Sequence, residues 1–180
     1  NRNTMNIRLL LAIATPLFVA SIFSSCDDDD DEDTAKLNSY QENKEYGEKF
    51  LMEKRAEEGI TESPSGLLIK VNTLNPTGIR PEDGDTIYAV VTGNKIENKQ
   101  NEFRYDTIRT SMHGQVKALV EGVKYMTVGS DFDFYSPYYL AYGTIAYEGV
   151  SREPKMKVTV NPYSAVKFNV RLLGVKKLDK

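Results

Sequence analysis

One histidine, one cysteine and no tryptophan narrow the chemistry open to this 180-residue chain. A Ser-His-Asp or Cys-His mechanism would need His113 as its base, with Ser111 or Asp106 nearby. His113 lies in the polar turn "SMHGQ", where a surface or helix-capping residue is the simpler reading, so hydrolysis is not expected. Cys26 is alone, which leaves no internal disulfide and no zinc site built on paired thiolates. The acidic run Asp27–Asp33 lacks the spaced oxygen ligands and turn glycine of a calcium loop. Neither a metal nor a cofactor is expected. What the chain does concentrate is rings: "VGSDFDFYSPYYLAYG", Val128–Gly143, carries six aromatic side chains. Phe132 and Phe134 fall on one side of an extended chain, and Asp131, Asp133 and Tyr135 on the other. The stretch is either a strand turning a corner at Pro137 or a wall of rings that holds something.

The chain is 40% apolar, enough for a sizeable core in one ordinary domain with extensions. Its formal charge of −3 comes from the acidic run, and the remainder is close to neutral. No clustered basic surface is available for phosphate backbones, which excludes nucleic acid as a partner.

"MNIRLLLAIATPLFVASIFSSC" has Arg8, then an apolar run from Leu9 to Phe23, then Ser24 and Ser25 before Cys26. The run is too short, and too interrupted by Pro16, for a spanning helix; it reads as a secretory signal, with Met5 as the start. It resembles a lipoprotein signal, which implies a lipidated Cys26 as the mature N-terminus. An ordinary signal with an incidental cysteine is the plainer alternative. Seven like charges repel and bury nothing, so residues 27–34 are expected to stay unfolded as a tether. The run also resembles the surface-export signal of Bacteroidetes lipoproteins, implying an outer-membrane location, periplasmic or surface-exposed.

Ala35–Glu58 reads as a helix with a thin apolar stripe (Leu37, Tyr40, Tyr46, Phe50), weakly interrupted by Gly47 and stopped by Gly59. It is either a solvated spacer or a surface for dimerisation or client holding. Thr61–Gly66 reads as a hinge, completing a linker over 35–64. Residues 65–180 then turn β-rich. Strands are expected at Leu67–Thr73, Asp85–Gly93, Glu102–Thr107, Asp131–Ser136, Lys155–Val160 and Ala165–Val175. One helix, Gln115–Met126, presents Val116, Leu119, Val120 and Val123 on one face. The class is therefore α+β, an antiparallel sheet with a helix across one face.

The segments "SGLLIKV", "GDTIYAVVTG", "VKALVEGVKYMTVGSDFDFYSPYYLAYG" and "NPYSAVKFNVRLLGVKK" resemble, in order, the FKBP-type peptidyl-prolyl isomerases over about Ser65–Lys177. The third is the most specific: a helix ending in Met-x-Val-Gly, a strand, then Pro-x-x-Leu-Ala-Tyr-Gly. The family also has secreted members with an N-terminal helical extension. The resemblance implies a curved antiparallel sheet wrapped around one short helix and a pocket between helix and sheet. The implied partners are proline-containing segments of exported proteins, handled by a folding helper.

Within that resemblance Tyr142 matches the tyrosine whose hydroxyl bonds the ligand, and Val116 the residue whose backbone N–H does so. Phe168 matches a phenylalanine of the pocket wall, and Phe103 a second. Tyr147 falls where the family often has histidine. The departures are Leu119 for the pocket-floor tryptophan, Val91 for the tyrosine before Thr-Gly, and Phe103-Arg104 for the Phe-Asp pair. Tyr105-Asp106 could substitute for that pair only if the loop is realigned. The segment from Phe103 to Val116 is shorter than usual, while Gly143–Pro162 is longer and could add a strand or flap. These departures imply either an isomerase with a divergent site or a non-catalytic binding module.

Overall fold

The computed structural model describes residues 29–97, 102–111, 114–152 and 155–178. The signal, Cys26 and His113 lie outside them. Helix α1 (Asp29–Arg55) leads to strands β1 (Ile60–Glu62), β2 (Leu68–Thr73), β3 (Thr86–Ile96) and β4 (Glu102–Ser111). Helix α2 (Lys117–Gly122) continues into a 3-10 turn, Val123–Tyr125, and strand β5 (Asp131–Ser136). A second 3-10 turn, Tyr138–Leu140, precedes β6 (Tyr147–Arg152), β7 (Lys155–Val160) and β8 (Ala165–Lys176). Six strands form one antiparallel sheet in the order β1-β2-β5-β8-β3-β4, and β6 and β7 form a separate hairpin. Register shifts at Ala89/Val91, Tyr88/Ala89 and Val71/Thr73 mark bulges, which bend a sheet.

The alternation legible in β3 and β8 sends Ile87, Ala89, Val91, Phe168, Val170 and Leu172 into the main core. There they meet Ala118, Leu119 and Val123 of the helical segment, with Phe132 and Phe134 of β5. Helix α2 sits close because Gly122 has no side chain: a Cβ there would come within 2.7 Å of two Phe134 ring carbons. The fold is the expected one, α+β with a short helix against an antiparallel sheet and a helix in front.

Three expectations change. The acidic run does not stay unfolded throughout, since α1 begins at Asp29. Carboxylates suit the partial positive charge of a helix N-terminus, and Glu32 pairs with Lys36 one turn on at 2.7 Å. The helix also stops earlier than expected, at Arg55. Finally, the hinge is a tight hairpin instead. Ile60–Glu62 pair with Lys70–Leu68, and Gly66 (φ +92°) closes the turn by donating to the Ser63 carbonyl at 3.0 Å.

The outer face of the sheet is covered too. Leu51, Leu68, Ile96, Tyr135 and Ala165 form a second apolar cluster, with Tyr46, Phe50 and Ile60 packed against it. Gly47, expected to weaken α1, is its point of nearest approach: a Cβ there would lie 3.0 Å from that of Ala165. Lys54 Nζ stands 5.0 Å from the Tyr135 ring centre. Burial, with Asp133 and Glu57 nearby, pushes the Tyr135 hydroxyl up to about 12.

Buried Asp85 ties the entry to β3 to the segment that follows β8. It accepts from the Glu82 N–H at 2.8 Å and the Leu178 N–H at 3.1 Å, and pairs with Lys177 at 3.0 Å. Burial alone would raise its pKa. The two backbone donors and the ammonium outweigh it and hold the carboxyl below its ordinary value, while Asp85 raises Lys177. A depressed carboxylate contributes stability above its unfolded pKa of about 4, lost as pH falls through the folded value. The raised lysine contributes below its unfolded pKa and is lost as pH rises through its folded value. We expect Asp85→Asn to lower stability at pH 7 and to flatten the acid limb in urea unfolding at pH 7 and pH 3. Equal acid dependence in both proteins would remove Asp85 from that role.

Candidate functional site

Between α2 and the inner sheet face lies a cavity of about 310 Å³. Its floor is Val91 of β3 and Leu119 of α2, both buried. Gly114, Gln115 and Val116, leading into α2, also line it, together with the rings of Tyr142 and Tyr147. A far smaller void of about 10 Å³ lies behind Leu119 and Val91, against Val170.

Val116 caps α2 with extended backbone (φ −59°, ψ 143°). Its carbonyl accepts from the Leu119 and Val120 N–H groups at 3.0 and 3.2 Å. The first N–H groups of a helix have no intrahelical acceptor, so the Val116 N–H is uncommitted to the helix, and Val116 itself lines the cavity.

Tyr142 is set by the turn after β5. Pro137 ends the strand, Leu140 drops into the core, and the Gly143 N–H donates to the Tyr138 carbonyl at 2.8 Å. Gly143 has φ +74°, a conformation glycine adopts without strain. The Tyr142 ring packs partly on the core and stacks on Tyr147, with centres 4.3 Å apart and planes 18° from parallel. The neighbouring rings brace the turn. Tyr138 meets Tyr139 edge-on at 5.5 Å and Tyr163 at 5.1 Å, while the Tyr139 hydroxyl donates to the Ser65 carbonyl.

The sequence-derived residues thus separate. Val91, Val116, Leu119, Tyr142 and Tyr147 line one cavity. Phe168 is fully buried in the core between Phe134 and Gly93 in register, and it does not border that cavity. For Phe103 and Arg104 the backbone register is described: they pair with Gly93 and Thr92, and Tyr105 pairs with Val91. No group of three or more His, Cys, Asp or Glu side chains is placed to hold a metal among the described residues.

Sequence reasoning missed how the β6–β7 hairpin is rooted. Val158 and Val160 enter the main core, and the Tyr163 N–H donates to the Gly143 carbonyl at 2.9 Å, closing the hairpin's neck. Glu97, buried, accepts from the Asn161 N–H and side-chain amide at 3.2 Å each, from Ser164 Oγ at 2.7 Å and from buried Lys95 at 3.1 Å. A carboxylate at such depth needs all these donors. A charged pair two residues apart gave only a faint signal of it.

Residues 19–71 match a family described as the domain amino-terminal to FKBP-type peptidyl-prolyl isomerase. An FKBP-type peptidyl-prolyl cis-trans isomerase FkpA from Aeromonas hydrophila is 30% identical over 139 residues, covering 76% of this chain and 48% of that protein. The outer membrane protein MIP of Legionella longbeachae is 28% identical over 142 residues, covering 76% and 56%. The chain spans about half the length of these curated relatives. In fold it is similar to the crystal structure of FkpA from Escherichia coli, with a TM-score of 0.68 at 24% identity, covering 82% of this chain and 66% of that one. A peptidyl-prolyl cis-trans isomerase from Pseudomonas syringae pv. tomato gives 0.58 at 17% identity, covering 80% and 96%.

Glu97→Ala would leave the Lys95 ammonium buried without its partner. Breaking such a pair costs about 3–5 kcal/mol, and Glu97→Gln, which keeps an acceptor, should cost less. Urea unfolding of both variants checks this; a loss below about 1 kcal/mol for the alanine would deny Glu97 its anchoring role.

Proposed function

We propose that this chain, which belongs to the FKBP-type peptidyl-prolyl isomerase family, binds proline-containing segments of exported proteins and speeds their cis–trans isomerisation. The observation that carries the proposal is the cavity itself, with an apolar floor of Val91 and Leu119, a stacked tyrosine wall and the Val116 amide at its edge. The X-Pro amide resists rotation by roughly 20 kcal/mol because of resonance, with no bond to be cleaved. An apolar enclosure disfavours the polar resonance form, and a backbone N–H or a tyrosine hydroxyl can hold the carbonyl as it twists. Val116 supplies the first donor in this reading and Tyr142 the second, with Phe103 as a further wall.

A second reading is a binding module that has lost catalysis. It draws on Val91 and Leu119 standing where the resemblance implies aromatics, and on Tyr142 being engaged by Tyr147. A protease-coupled isomerisation assay on the chain from Asp27 onward separates the two. Acceleration of a proline tetrapeptide is expected, with kcat/KM falling roughly 3- to 30-fold in Tyr142→Phe for the loss of one hydrogen bond. No acceleration above the uncatalysed rate would overturn the isomerase reading, and retained peptide binding would then favour the binding module.

The chain is anchored in this proposal by lipid on Cys26, which places it in the cell envelope at the outer membrane; one relative is named an outer membrane protein. The first half of α1, with Leu37 two-thirds exposed, is the surface on which two copies would meet. In fractionated cells the full chain is expected in the membrane and Cys26→Ser in the soluble fraction, running at the mass of a dimer. A membrane-bound Cys26→Ser would rule out the anchor, and a monomer the pairing.

A further inference from the structure

Tyr147 stacks on Tyr142, yet it is 36% exposed and opens a hairpin outside the main sheet. Something must hold its ring in place. Side chains two apart on a strand share a face, which puts Gly149 beside Tyr147. A Cβ on Gly149 would lie 3.1 Å from Cε1 of Tyr147 and 3.8 Å from its Cζ and hydroxyl oxygen. The ring therefore lies back along its own strand over the bare backbone of Gly149, and from there meets Tyr142.

The backbone gives no other reason for glycine here. Gly149 is not among the glycines with positive φ. It pairs in regular register with Val158, inside a strand that glycine weakens. Close approach of another group is the role glycine has left, and the Tyr147 ring makes that approach.

We infer that Gly149 is a positioning residue for the cavity: its missing side chain seats Tyr147 flat against Tyr142 and so fixes where the aromatic wall stands. The inference rests on reading the cavity as the proline-binding site. Its physical core, the seating of one ring by the absence of a neighbour, can be measured without any ligand. Valine at this position would suit a strand better than glycine does. A merely structural glycine would therefore give a different pattern from a positioning one.

The test uses the chain from Asp27 onward with Gly149→Val, Tyr147→Ala and the double variant. Three quantities are read: thermal midpoint, Tyr142 ring-proton resonances, and binding of a proline-containing tetrapeptide by calorimetry. Gly149→Val should keep or raise the midpoint, move the Tyr142 resonances out of the ring current of Tyr147, and weaken peptide binding about 3- to 10-fold, the worth of one aromatic pair. In the Tyr147→Ala background the same glycine change should alter binding less than about twofold, since the two sites act through one contact. Unmoved Tyr142 resonances in Gly149→Val, or equal weakening in both backgrounds, would overturn the inference. Shifted resonances in a protein that binds no proline peptide would leave the positioning intact and overturn the reading of the cavity.

Discussion

The gap between α2 and the sheet is set by one contact, the edge of the Phe134 ring against the bare Cα of Gly122. Six residues of helix have little stability of their own, so α2 stands where packing puts it. With ring carbons 2.7–2.9 Å from where a Cβ would be, the helix lies as near the sheet as glycine permits. That distance sets the spacing of Leu119 from Val91, and hence the depth of the cavity floor. It also sets where Val116 brings its amide at the mouth. A larger residue at 122 would lift all three together.

Strand β5 is buried on both faces, which makes the sheet the middle layer of three. Phe132 and Phe134 face α2, while Tyr135 faces α1. Each such side chain withdrawn from water contributes roughly 1.5–3 kcal/mol, so the C-terminal half of α1 is part of the fold and not a free spacer. Its first half carries Leu37 into solvent. The helix thus changes character along its length, exposed before about Gly47 and packed on the sheet after it.

Local pattern made much of this legible. The strands expected at Asp85–Gly93 and Ala165–Val175 form with slightly different ends, and β5 and β7 keep their expected bounds. The start of α1 was misjudged because charge repulsion was weighed without the helix terminus that rewards it. The hinge was misjudged because "TESPSG" has turn composition, and the pairing of Ile60–Glu62 depends on a partner strand. The resemblance placed Tyr142, Val116 and Leu119 around one space, but not the stacking of Tyr147, whose position depends on a hairpin longer than the family pattern. Glu97 was barely legible for a similar reason: Asn161 is 64 residues away, and only Lys95 lies near it in sequence.

The order of the sheet leaves β1 and β4 at its borders. A sheet border is a template, a row of unpaired amides and carbonyls on which any extended chain can zip. Here one border strand has three residues and ends in Glu62, clamped by the Arg55 guanidinium at 2.7 Å. Along the other runs β6 of the hairpin. Both borders of the sheet are thereby kept from templating further strands. The hairpin that walls the cavity is also the guard on the β4 border.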